Sequence, residues 1–203
     1  MKRIASIIVL ITILVFTCGC QNDDKFTSSF PLDKNEVTRI LGQVGLQGEV
    51  SDDETESSKD GRVSYVIRDN AETCSDSENG KFVANVVSLA HKDGRALATV
   101  FDQSVAGEKI NWSDWEQQIK FATLLYGGFG NEEVLYNACL EEDLPAGSEA
   151  FSFDIELADG YCIVSYQPRT NKTYDDNAFE VVNYSATLRV NIYETKELYE
   201  KIK

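Results

Sequence analysis

The chain has 203 residues, with 34 Asp and Glu against 19 Lys and Arg, one His and five Cys. That length accommodates one domain or two small ones, and 42% hydrophobic residues with 10% aromatic is the composition of a folded protein, not a disordered one. A net charge of −15 argues against a phosphate backbone as partner, so no nucleic acid is expected, and a single His leaves little room for a His-based zinc site or proton relay.

Lys2 and Arg3 give the amino terminus a positive start, and an uncharged, mostly apolar run follows from Ile4 to Phe16. A run of that length suits the core of a signal peptide, whereas a spanning helix needs about 20 residues. Thr17-Cys18-Gly19-Cys20 comes next, and then polar Gln21-Asn22-Asp23-Asp24. A small residue before a cysteine, with polar sequence after it, resembles the lipobox of bacterial lipoproteins. Thr17 stands where that family usually has Leu, and the resemblance covers residues 1–20 alone. It implies removal of residues 1–19 as a lipoprotein signal peptide. It also implies a diacylglycerol anchor with further acyl chains such as palmitate on Cys20, Cys18 being the alternative. The expected location is the cell membrane, with the domain on its outer side. Two or more acyl chains anchor stably where one does not. Loss of Lys2 and Arg3 makes the remaining chain more acidic still, so an anionic bilayer surface repels the domain while the lipid holds it. Residues 20–32 read as the tether, of which Gln21 to Ser29 can span at most about 30 Å.

A domain is expected over 33–203. Asp33 and Glu36 have capping-box spacing, and Val37, Ile40, Leu41 and Val44 form an apolar stripe, which predicts a helix over 33–44 stopped by Gly45. Residues 51–60 are a solvated acidic loop leading out of a short strand. The period then changes to two over Arg62–Arg68, Lys81–Leu89 and Arg95–Phe101, with Lys92-Asp93-Gly94 as a hairpin turn. Ser113 to Glu116 opens a helix with Trp115, Ile119, Ala122 and Tyr126 on one face, and Gly127-Gly128-Phe129-Gly130 breaks it. Asn131 caps another helix at about 132–142, with Val134, Leu135, Ala138 and Cys139 inward. Strands follow at Phe151–Leu157 and Tyr161–Gln167, joined through Asp159-Gly160. A polar excursion from Pro168 to Ala178 leads to a long strand at about 180–193, and a short amphipathic helix begins near Thr195.

This order predicts an α+β fold with antiparallel sheet and a few helices. It reads either as two similar helix-plus-meander halves, 33–105 and 106–203, or as one curved sheet gripping the central helices. The order resembles cystatin-like and tandem α+β secreted modules in topology alone, and such a likeness transfers no function.

Candidate functional residues are few. Trp112, Trp115 and Phe129 gather around one helix and glycine turn, where exposed rings would contact a peptide or glycan. Cys139 on a helix and Cys162 on a strand are candidates for a disulfide, the alternative being two small buried hydrophobes. Cys74 lies in a polar loop. His91, beside the hairpin turn, is read as solvated, and no G-x-S-x-G surrounds any serine. Asp52, Asp53, Glu54, Glu56 and Asp60, and separately Asp175-Asp176-Asn177, lack the spacing of a Ca²⁺ loop, so no metal and no cofactor is expected. The reading is a membrane-anchored lipoprotein that binds an envelope protein or glycan without catalysis. The alternatives are an envelope-polymer hydrolase using paired carboxylates and a ligand-binding accessory subunit of a transporter.

Overall fold

The computed structural model describes residues 30–53, 62–68, 83–106, 110–127, 131–144, 149–174 and 180–203. Helix α1, Lys34–Gln43, starts where the Asp33 carboxylate accepts the Glu36 N–H at 2.9 Å, and it buries Val37, Ile40 and Leu41. It stops at Gly45, whose φ of 78° lets the Leu46 N–H turn back onto the Leu41 carbonyl at 3.1 Å.

Among the described residues seven strands follow: β1 Glu49–Asp52, β2 Arg62–Arg68, β3 Val83–His91, β4 Gly94–Ala106, β5 Phe151–Leu157, β6 Gly160–Tyr174 and β7 Glu180–Tyr193. They make one antiparallel sheet in the order β1-β2-β3-β4-β7-β6-β5. Between β4 and β5 run a 3-10 turn, Trp112–Trp115, then α2, Glu116–Tyr126, and α3, Asn131–Glu141; α4, Lys196–Ile202, ends the chain. The α+β expectation holds. Each half is a helix followed by a meander, and their last strands meet in the middle, β4 against β7 from Ala96–Tyr193 to Ala106–Asn183. The expected halves therefore share one sheet. This establishes the class and does not extend to the cystatin-like likeness.

Cross-strand partners share a face. The register thus puts Ile67, Ala84, Phe101, Leu188, Val164 and Tyr166 on one side of the sheet, all 4% exposed or less. Helices α1, α2 and α3 cover that side in sequence order, α1 on β1, α2 on β4 and β7, α3 on β5. Helix α4 lies on the opposite face, where Tyr199 packs against Tyr161 and Tyr193 with ring centroids 5.7 and 5.2 Å away.

Three expectations need correcting. Strand β4 runs past its expected end at Phe101 to Ala106, and β6 runs past Gln167 to Tyr174, into the stretch read as a polar excursion. Pro168 is tolerated in β6 for a local reason. The two-residue turn after Leu157 makes Leu157 and Gly160 a hydrogen-bonded pair, so even-numbered residues of β6 point their backbone groups at β5. Strand β5 ends opposite Tyr166, so at position 168 the missing N–H faces a side with no β5 partner. Third, Val134 is 49% exposed, while Leu135 and Cys139 are buried and Ala138 is half-buried. The apolar quartet is wider than the arc of α3 that the sheet covers.

Candidate functional site

A cleft of about 610 Å³ opens at the end of the sheet where the start of β4, the β5–β6 turn and the β7–α4 junction converge. Sequence-distant charges line it: Arg95, Glu156, Asp159, Glu194, Lys196 and Glu197. Backbone bonds hold its floor. The Arg95 N–H donates to Glu194 Oε2 at 2.9 Å, and the Glu194 N–H donates to the Arg95 carbonyl at 3.0 Å. Gly94 is required here, because a Cβ at that position would lie 2.9 Å from Glu194 Oε2, at a φ of 137°. Thr195 caps α4 by accepting the Leu198 N–H at 3.1 Å.

Both cations of the cleft rest on aromatic faces. The Arg95 guanidinium lies 4.5 Å from the Tyr126 ring centroid and 5.5 Å from that of Phe30, and Lys196 Nζ lies 5.1 Å from the Tyr161 ring. Burial pushes the Tyr126 phenol up to about 12, against the pull of the Arg95 charge. Tyr161 is also pushed up to about 12, by burial first and then by its hydroxyl's hydrogen bond to the Asp154 carboxylate at 2.9 Å. The Glu197 carboxylate is held below its usual range by its own backbone N–H and the Thr195 hydroxyl. A glycosidase acid needs the opposite shift, so Glu197 is no candidate for that role. What the cleft offers is selective contact: two cations on rigid aromatic platforms and four carboxylates around them.

The tryptophans are elsewhere. Trp112 is 5% exposed and donates its indole N–H to the Glu142 carbonyl at 2.8 Å; Trp115 is fully buried. Both rings pack on Tyr166 of β6, at 5.6 and 6.4 Å. The 3-10 turn points both indoles at the sheet, so neither is presented to a ligand, and Phe129 lies outside the described residues. Cys139 and Cys162 are buried free thiols. His91 Nδ1 accepts the Asp93 N–H at 3.2 Å, and the Asp93 carboxylate also pairs with Lys201 at 3.1 Å, at the rim of the hairpin. Asp52 lies 3.8 Å from Lys34. Glu54, Glu56, Asp60, Cys74 and the stretch Asp175 to Asn177 lie outside the described residues, as do Cys18 and Cys20. Among the described residues no group of three or more His, Cys, Asp or Glu is placed to hold a metal, and no helix is long and apolar enough to cross a membrane.

Sequence reasoning missed the cleft because its charges come from three separate segments and each, alone, looks like ordinary solvated surface. The Asp159-Gly160 and Asp93-Gly94 turns are the one signal that could have located it. No family model matches the chain, and no curated protein or solved structure is significantly similar to it.

Proposed function

We propose that the chain is a bacterial lipoprotein acylated on Cys20, whose domain is a non-catalytic binding module held at the outer side of the membrane. The observation that carries this reading is the sequence Lys2 to Cys20: a short charged start, an apolar run too brief to span, and a cysteine after a small residue. Two features of the fold support it. The end of the expected tether is docked firmly on the domain: Leu32 is 1% exposed, its N–H donates to Ser88 Oγ at 2.9 Å, and its carbonyl accepts the Tyr65 hydroxyl at 2.9 Å. Phe30, just ahead of it, packs edge-on to Tyr126 at 5.8 Å and under Arg95. The charged cleft therefore lies beside the point where the tether meets the domain, within about 36 Å of the acylated residue.

The cleft is open rather than enclosed, which suits part of a polymer or peptide better than a small molecule carried whole. Arg95 and Lys196 provide for a carboxylate, and Glu156, Asp159 and Glu194 for an ammonium, so a segment bearing both charges fits. Metabolic labelling with a clickable fatty acid tests the anchor. The parent protein takes up label and Cys20→Ala does not. Label retained in Cys20→Ala but lost in Cys18→Ala moves the attachment to Cys18, and no label in the parent rejects the reading.

A further inference from the structure

We infer that the free edge of β5, together with the outer flank of α3, is a docking surface for an extended polypeptide segment in which basic and apolar residues alternate. The inference rests on the described domain and stands whether or not Cys20 carries lipid.

The backbone states what is offered. Strand β5 is the last of the sheet, and among the described residues nothing pairs with its outer side. Hydrogen-bonded pairs with β6 recur at Leu157, Ile155, Phe153 and Phe151 because the two-residue turn fixes the phase. Ser152, Asp154 and Glu156 therefore aim both their N–H and their C=O outward. Seven residues is a long edge to leave open; the other edge, β1, has four. Such an edge accepts a strand, and the strand's backbone supplies the complementary donors and acceptors.

The side chains then specify what the strand must carry. On the face away from α3 the edge presents Asp154 and Glu156, both exposed. Directly opposite residues on a sheet interact, so the incoming chain needs Lys or Arg on that side. On the face toward α3 the edge presents Phe151, Phe153 and Ile155, all half-buried, with the two phenyl rings 5.8 Å apart. Val134 extends that apolar shelf. Tyr136 marks the flank of α3 toward α2, since the charges of Glu116 and Lys120 act on it. Val134 lies two residues back, about 200° around the helix, on the flank away from α2. Because α3 is the last helix in the row and rests on β5, that flank runs along the sheet edge. This accounts for a valine 49% exposed on a helix whose inward side is otherwise closed.

Charge decides against a second copy of this chain. Pairing β5 with β5 would set the carboxylates of Asp154 and Glu156 beside their own twins on one face. A net charge of −15 opposes the same encounter at long range and favours a basic partner.

The test uses the full-length protein in detergent and residue-resolved amide exchange. The probe is a capped synthetic peptide of about nine residues alternating Lys and Val, the length that covers the edge. The expected result is slowing of about tenfold or more at Ser152, Asp154 and Glu156, none with the Glu/Val counterpart, and none with a peptide that groups the same lysines and valines in two blocks. Ser152→Pro removes one outward N–H and leaves the β5–β6 ladder intact, so protection by the peptide is lost while Phe153 and Ile155 stay protected. If that variant fails to fold, methylating alternate peptide nitrogens of the probe makes the same test from the other side. Equal protection by the blocked or acidic peptide, protection that avoids these three amides, or protection that grows with protein concentration in the absence of any peptide overturns the inference.

Discussion

Cys139 on α3 and Cys162 on β6 are both fully buried between the helices and the sheet, and the charge of Cys139 acts on Cys162. Burial pushes the Cys139 thiol up to about 12, with the Glu142 carboxylate adding to the shift, and burial raises Cys162 as well. Both are therefore neutral in the folded protein at ordinary pH, and a neutral buried thiol is a poor nucleophile. Burial likewise pushes Tyr126 and Tyr166 up to about 12. The folded values exceed the unfolded ones, so the stability tied to these neutral groups is fully present below the unfolded pKa. For the thiols that limit is about pH 9 and for the phenols about pH 10. It is lost as pH climbs through about 12. Urea midpoints should hold level up to about pH 9 and fall steeply above it. The double variant Cys139→Ala, Cys162→Val should be weaker at neutral pH but decline less with alkali. A midpoint that fell as steeply in the double variant would remove the thiols from the explanation.

Among the elements, those with a strong apolar period were legible and those held mainly by pairing were not. The first helix announced itself through Asp33, the stripe from Val37 and Gly45, and each of these does locally what its chemistry requires. The ends of β4 and β6 carry Asp102-Gln103 and Pro168-Arg169-Thr170, which show no alternation; they are strand because β7 offers them a partner along its whole length. Position 168 gives this a sharp test. Its backbone nitrogen faces the side that β5 has vacated, so Pro168→Ala should change stability by no more than about 0.5 kcal/mol. Ser165→Pro, three residues earlier, removes an N–H that faces β7 and should cost about 3 kcal/mol or more. Equal effects in urea melts would mean that the phase assigned to β6 is wrong. The same distinction explains the site. Apolar period marks what is buried, and the cleft is made of Arg95, Glu156 and Glu194, charged residues whose neighbourhood exists once the sheet has assembled.

At the scale of the whole molecule, the sequence left two half-domains and one shared sheet as open alternatives, because helix-then-meander occurs twice and nothing in a one-dimensional pattern says whether the final strands meet. They do meet, and the meeting is apolar as well as hydrogen-bonded. Phe101 of β4 and Leu188 of β7 are directly opposed and fully buried, and the Phe101 ring packs edge-on against Phe121 of α2 with centroids 6.3 Å apart. The first half thus closes its core with a helix from the second. Separated after residue 106, it would expose β4 along its full edge and leave Leu97 and Phe101 facing water. Uncovering those two side chains alone forfeits roughly 3–6 kcal/mol, a large share of the stability of a typical domain. A fragment covering residues 30–106 is therefore expected not to fold alone and to aggregate through its open strand. Amide exchange in the intact protein should be slowest along β4 and β7, since opening that pair requires opening both halves. A dispersed, folded spectrum from the isolated fragment would show instead that the two meanders are independent units that happen to touch.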